Sequence, residues 1–292
     1  MQLVAPSTAQ LGEAPFWSPG ERALYWLDLL DPTLHRWSEE RGHSARRLET
    51  PAPLGAIAPT GDPGVAVLTC AAGIALLDLR DGGTTLLLDP LQRLPHLHFN
   101  DAKVDRSGRL WLGTADTEEV DPRAVLFLLE GSRASVADAG FAVCNGPAFS
   151  PDGSVVYFSD SNSRTVLTYR MAEDGTLLDR RVFARFGSDE GYPDGLTVDA
   201  DGFLWVAHWD GGRVSRFSPD GKPDRVLHVP APNVTSVAFG GEDLGTLFIT
   251  TARLGLDAEA LESFPLSGGL FAEDRPGTRG LPEPAWRGPD DA

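Results

Sequence analysis

Asn145-Gly146-Pro147-Ala148-Phe149-Ser150-Pro151-Asp152-Gly153-Ser154-Val155-Val156-Tyr157-Phe158-Ser159-Asp160 is the stretch from which the fold can be read. A short strand over Pro147 to Ser150 meets a Pro151-Asp152-Gly153 turn, and a β-branched and aromatic strand follows from Val155 to Ser159. The same plan returns at Asp194-Gly195-Leu196-Thr197-Val198-Asp199, which turns at Asp201-Gly202 into Phe203-Leu204-Trp205-Val206-Ala207. It returns again at Asn100-Asp101-Ala102-Lys103-Val104-Asp105, which turns at Ser107-Gly108 into Arg109-Leu110-Trp111-Leu112-Gly113. In all three copies the turn glycine comes eight residues after the opening Asn or Asp. Self-similarity of this kind marks a repeat architecture.

Three weaker copies complete the set. One opens at Glu13, a degenerate one at Leu54 and the last at Thr235, so the six openings are Glu13, Leu54, Asn100, Asn145, Asp194 and Thr235. They lie about 45 residues apart, the length of a four-stranded propeller blade. Helical periodicity is confined to a brief pattern near Leu256 to Leu261. The chain is therefore expected to be all-β, a six-bladed β-propeller with four-stranded blades forming one domain over 1–292. The Pro/Gly-rich segment 276–292 is expected to be an extended C-terminal tail. A β-sandwich or a stacked solenoid is the structural alternative.

Composition sets the functional bounds. With 292 residues, 41% of them hydrophobic, the chain can bury a sizeable core, and 32 Gly with 23 Pro supply many turns. A net charge of −17 without a basic stripe argues against nucleic acid and against anionic membrane surfaces. No apolar run approaches a membrane span, and Met1 to Gly12 lacks the basic and apolar regions of a signal peptide. A cytoplasmic protein is expected. Cys70 and Cys144 fall in separate repeats without CxxC spacing and read as reduced, buried thiols.

The repeat also carries a chemical expectation. The first strand of each propeller blade lines the central channel, so equivalent strand-start residues form a ring about one axis. Five of the six carry oxygen: Glu13, Asn100, Asn145, Asp194 and Thr235. Asn and Asp also serve turn geometry at such positions. Two carboxylates converging on one axis nevertheless repel unless a cation or a proton intervenes. Oxygen donors without Cys or His suit a hard or borderline divalent ion such as Ca²⁺, Mg²⁺ or Mn²⁺, with Zn²⁺ and Fe²⁺ also compatible.

Leu11-Gly12-Glu13-Ala14-Pro15-Phe16-Trp17, Phe99-Asn100-Asp101-Ala102-Lys103-Val104-Asp105, Asn145-Gly146-Pro147 and Pro193-Asp194-Gly195-Leu196 resemble the senescence-marker-protein/gluconolactonase/luciferin-regenerating family. The resemblance runs from about Leu11 to Phe271. It implies a six-bladed propeller that hydrolyses sugar lactones with one divalent metal in its channel. It implies Glu13, Asn145 and Asp194 as metal ligands, Asn100 as a substrate or water-mediated contact, and Glu118 as a substrate-contacting acid. Where many members carry Arg before Phe-Asn-Asp, this chain carries His98, which cannot offer Arg's planar fork to a substrate.

Asp194 is the first candidate to take a proton from the attacking water and Asp101 the second, unless Asp101 caps its own turn. Tyr192 and Trp209 are candidate pocket walls or packing residues, and Phe16, Trp17, Trp26, Trp111 and Trp205 read as inter-blade core. His35 and His208 have no positional argument as ligands. No serine-hydrolase elbow, zincin pair or phosphate-binding loop is present. Beside the lactonase, two alternatives stand: a phosphotriester hydrolase on the same ring, and a non-catalytic binding propeller.

Overall fold

The computed structural model describes residues 1–288. Its strands form six antiparallel four-stranded sheets, each built from sequence-consecutive strands except the sixth. The innermost strands are Gly12–Ser18, Leu54–Pro59, Leu97–Val104, Cys144–Phe149, Tyr192–Val198 and Val234–Gly240. Each touches the innermost strands of both neighbouring blades, and the sixth touches the first, so the ring closes. This is the six-bladed β-propeller expected from the repeat. The degenerate second copy still makes a full sheet, Leu54–Pro59, Val65–Cys70, Gly73–Asp78 and Thr84–Leu88.

The sixth blade is closed from the other end of the chain. Gln2–Ala5 pairs antiparallel with Leu270–Asp274 and supplies the fourth strand beside Thr246–Thr251 and Val234–Gly240. Closure of this kind leaves no open first or last blade edge at the ring seam. The helical pattern near Leu256 appears as the short helix Ala258–Ser263, whose first turn is capped by Asp257 Oδ1 accepting from the Ala260 amide at 2.9 Å. Among the described residues no helix is long and apolar enough to cross a membrane.

The core lies between blades. Trp26, Trp111 and Trp205 are fully buried, with Phe16 and Trp17 nearly so, as their repeat positions predict. Two buried carboxylates fix the tryptophan strands. Asp105 and Asp199 each follow an innermost strand, accept two amides of the next turn, and receive an indole Nε1–H at 2.9 and 2.8 Å from Trp111 and Trp205. Both cysteines are free and buried.

In every blade the pairing of first and second strands slips just past the strand start. The slips fall between Glu13 and Phe16, Leu54 and Ile57, Phe99 and Ala102, Asn145 and Ala148, Pro193 and Leu196, and Val234 and Ser236. A bulge re-aims the side chain beside it, and here it does so at one end of the channel in all six blades.

The C-terminal segment is extended, but it does not hang free. From residue 276 it crosses the channel end opposite these strand starts. The Ala200 amide donates to Arg279 O and the Gly280 amide to Leu244 O. Farther on, the Trp286 amide donates to Pro59 O and the Arg287 amide to Gly108 O, and the Trp286 ring is buried. Glu283 pairs with Lys103 at 3.4 Å over a water-sized void of about 20 Å³ that Asp101 and Ser236 also line. The segment is therefore a strap that floors the channel. Residues 289–292, the rest of the expected tail, lie outside the described residues.

Candidate active site at the channel mouth

Glu13, Asn145 and Asp194 stand at the mouth end of three innermost strands, and each is more than nine-tenths buried. Glu13 accepts from the Ala14 amide at 2.7 Å. Ala14 has φ 51°, in the left-handed region, so the backbone changes direction just after Glu13. Burial first, then the charge of Asp101, holds the Glu13 pKa well above the ordinary carboxylate range. Asp194 is raised well above that range too, by burial, then by Glu13, Asp101 and Glu119, against the Gly195 amide. These carboxylates are thus close enough to feel one another across the channel. Among the described residues no Lys, Arg or His forms an ion pair with Glu13 or Asp194.

Side chains tie the strands of blades 3, 4 and 5 together. Asn100 Nδ2 donates to Asn145 Oδ1 at 2.6 Å and to Cys144 O at 3.3 Å. Asn145 Nδ2 donates to Ser161 Oγ at 2.9 Å, and Ser161 Oγ donates to Pro193 O at 2.7 Å. Ser159 Oγ donates to Asp194 O at 2.8 Å. Between blades 5 and 6 the approach is closer still: a Cβ on Gly195 would collide with the Ser236 side chain, so only glycine fits there.

Asp101, the second candidate base, spends both oxygens on backbone. Oδ1 accepts from the Ala102 amide at 2.8 Å and Oδ2 from the Gly146 amide of the next blade at 3.0 Å. Its carboxyl is pushed up to about 6 by burial, against the nearby Lys103 charge. Thr235, counted in the ring from its repeat position, turns away from it. Its hydroxyl donates to Gly12 O, which stitches blade 6 to blade 1, and lies 2.8 Å from Thr250 Oγ1, from which it can accept.

His98 is half-buried on the Leu97–Val104 strand, opposite Ala115. Burial lowers its pKa, against the opposing charge of Asp116. Glu118 lies exposed on the loop beyond Asp116, whose Oδ1 accepts the Glu118 amide. The adjacent Glu119 is the acid whose charge reaches Asp194. Tyr192 is half-buried opposite Trp209, and the Arg164 guanidinium caps its ring at 3.7 Å from the centroid. His35 stacks on Trp26 and His208 Nδ1 lies 2.8 Å from Glu190 O, so both have structural partners. The sequence reading missed Ser161, Glu119 and Glu283. No motif marks the first two, and Glu283 sits in a segment without repeat character.

A family description, the SMP-30/gluconolactonase/LRE-like region, matches residues 11–253. The chain is 37% identical over 290 residues to a 6-deoxy-6-sulfogluconolactonase of Pseudomonas putida, covering 99% of both chains. It is 37% identical over 276 residues to an L-arabinolactonase of Azospirillum brasilense, covering 92% of this chain and 90% of the other. Among solved structures it superposes on a calcium-binding protein, regucalcin, from Agrobacterium tumefaciens with a TM-score of 0.91 at 27% identity, over 98% of this chain and 96% of that one. The chain belongs to the SMP-30/gluconolactonase/LRE-like family.

Proposed function

We propose that the protein hydrolyses sugar lactones at the channel mouth, on a divalent cation held by Glu13, Asn145 and Asp194. The carrying observation is the pair of buried carboxylates, Glu13 and Asp194, which lack a cationic partner among the described residues; the charge of Glu13 raises the pKa of Asp194, and that of Asp101 raises the pKa of both. Two buried like charges are costly unless a proton or a cation compensates them. The donor set fits a hard or borderline ion: two carboxylates and an amide oxygen, with neither sulfur nor imidazole. The similarity to a sulfogluconolactonase and an arabinolactonase supports an aldonolactone as the substrate class.

A cation held by Glu13, Asn145 and Asp194 would supply Lewis acidity toward the lactone carbonyl and the charge that develops on it. The chain's own residues supply the rest. Asp194 takes the proton of the attacking water, since both oxygens of Asp101, the other candidate base, are engaged by backbone amides. Asn100 commits its Nδ2 to Asn145 and leaves its Oδ1 to accept a substrate hydroxyl. His98, uncharged at neutral pH, donates or accepts one hydrogen bond from the same strand. Tyr192, braced by Arg164, forms part of the pocket wall, and Glu118 reaches the substrate only from the exposed loop.

The test is to strip the protein with a chelator and add back Ca²⁺, Mg²⁺, Mn²⁺, Zn²⁺ or Fe²⁺ singly. Proton release from a panel of five- and six-carbon aldonolactones is then followed. Activity is expected to vanish on stripping and to return with at least one ion. An unchanged rate after stripping defeats the cation assignment. Faster turnover of a phosphotriester than of any lactone defeats the substrate class.

A further inference from the structure

We infer that Ser161 is a positioning residue that decides which atom of Asn145 faces the channel; the inference rests on the cation reading above. An asparagine amide has one oxygen that can ligate a cation and one NH₂ that cannot. At an unconstrained site the two ends exchange by rotation about the last side-chain bond, and half of the orientations are useless for binding.

The hydrogen-bond chain removes that freedom by elementary donor and acceptor logic. The carbonyl of Pro193 can only accept, so the single Ser161 hydroxyl proton goes to it, at 2.7 Å. Ser161 Oγ then has only lone pairs left for its other neighbour, and that neighbour, 2.9 Å away, must be the Asn145 NH₂. On the opposite flank Asn100 Nδ2, also donor-only, lies 2.6 Å from Asn145 Oδ1. Both flanks therefore demand the same orientation. A flipped amide would set its NH₂ against the Asn100 NH₂ and its oxygen against a hydroxyl whose proton is committed. An amide oxygen has two lone pairs, so Asn100 leaves one for the channel.

Position in the fold keeps this device rigid. Ser161 is 7% exposed and directly follows the strand Val155–Asp160, where its own amide donates to Val143 O. Two residues earlier on that strand, Ser159 holds the carbonyl of Asp194. One strand edge in blade 4 thus grips the backbone of blade 5 on both sides of the Pro193–Asp194 peptide. Through Ser161 it also passes the polarity of that backbone to the side chain of Asn145. Supporting partners that orient a ligand in this way commonly govern its metal affinity.

Ser161→Ala and Ser161→Thr are made in the wild-type background and with Asn145→Asp, whose carboxylate presents an oxygen whichever way it turns. Two quantities are read. One is the Mn²⁺ dissociation constant of the chelator-stripped protein, by competition with a chromophoric chelator. The other is the Asn145 side-chain amide pair in a ¹⁵N–¹H spectrum without metal. Ser161→Ala is expected to weaken Mn²⁺ binding about tenfold or more and to shift and loosen the Asn145 amide signals, while Ser161→Thr stays near wild type. With Asn145→Asp, removing Ser161 is expected to change the Mn²⁺ constant less than about twofold, since no wrong end remains to be excluded. Equal Mn²⁺ constants for wild type and Ser161→Ala overturn the inference, as does an equal loss in both backgrounds. If wild type binds no divalent ion, the cation reading falls by itself. The amide spectrum then still decides, and Asn145 signals unmoved by Ser161→Ala overturn the positioning role. Should the alanine variant not fold, Ser161→Cys keeps the volume with a far weaker hydrogen bond and carries the same comparison.

Discussion

Blade 5 buries two aspartates on one inner strand and its immediate end, and their surroundings are opposite. Asp199, toward the strap end of the channel, is fully buried and has a donor for each lone pair. The amides of Asp201 and Phe203 reach Oδ1, while the Trp205 indole and the Arg216 guanidinium reach Oδ2. Asp194, toward the mouth, is as good as buried, yet the charges that act on it are those of Glu13, Asp101 and Glu119, all negative. Burial of a carboxylate serves the fold when it arrives with its own cation and hydrogen bonds. Burial against like charge opposes folding, so the residue is retained for what it binds or does. Blade 3 repeats the first arrangement, where Asp105 takes Arg109 Nε at 2.6 Å and the Trp111 indole. The strap end of the inner strands is therefore built for stability, while the mouth end carries the charge burden that the proposed function puts to use.

The largest effect tests the structural half. Asp199→Ala leaves the Trp205 N–H buried without its acceptor and strips the Arg216 guanidinium of its fully buried partner, leaving it Asp224 at 2.9 Å and Asp201 at 3.4 Å; a loss of about 3 kcal/mol of folding stability is expected. Denaturant unfolding followed by tryptophan fluorescence measures it, and a loss below about 1 kcal/mol would erase the contrast with Asp194.

Asp194→Asn tests the other half and should separate activity from stability. Lactone hydrolysis is expected to fall to less than a tenth, more than about 1.4 kcal/mol of barrier, because the proposed ligand charge and the proposed base are lost together. Stability should move the other way in chelated protein. The raised native pKa of Asp194 means that its contribution to stability is full below the unfolded carboxylate value near 4. That contribution is lost as pH rises through the raised value. Chelated wild type should therefore lose stability from pH 5 to 8 relative to Asp194→Asn. His35 and His208, both held down to about 4 by burial, slope oppositely in each protein and cancel from the difference. Parallel stability curves for the two proteins would show that Asp194 carries no excess charge burden.

How far the sequence could be read follows the same division. The inner strands and turn glycines were legible because each blade solves one packing problem with one pattern. The mouth acids were legible because they recur at a fixed place in that pattern. Thr235 shows the limit: it holds the same repeat position, but its hydroxyl is spent on Gly12 O across the ring seam. The fourth strand of blade 6 comes from Gln2–Ala5, outside the repeat frame, and only ring closure explains it. Ser161 and Glu283 act through partners on other strands or across the channel, contacts that spacing along one chain does not encode. The strap itself was legible as extended chain, but its docking rests on backbone hydrogen bonds, the buried Trp286 ring and the Glu283–Lys103 pair, contacts with blades far off in the chain that its own composition does not reveal.

The smallest expected effect concerns His98, which lies between the two halves in character. Its ring is half-buried at the mouth, and burial lowers its pKa, so at neutral pH it brings a short, uncharged group to the site. His98→Arg would bring a longer side chain with a fixed charge and a planar fork suited to paired oxygens. Asp116, the acid whose charge acts on His98, is already held by Arg123 at 2.7 Å, so the new guanidinium has the substrate's oxygens as its natural partners. The ratio of kcat/KM between a pentonolactone and a hexonolactone should then shift by about 1 kcal/mol, roughly fivefold, the worth of a hydrogen bond gained or lost in a site. Metal affinity should stay at the wild-type value, because the three residues proposed as ligands sit on other strands. Measuring both lactones in both proteins decides between two descriptions of the mouth. An altered ratio makes His98 a determinant of which lactone fits. An unaltered ratio with unaltered metal affinity would assign His98 to the wall of the propeller and leave the choice of lactone to the loops around it.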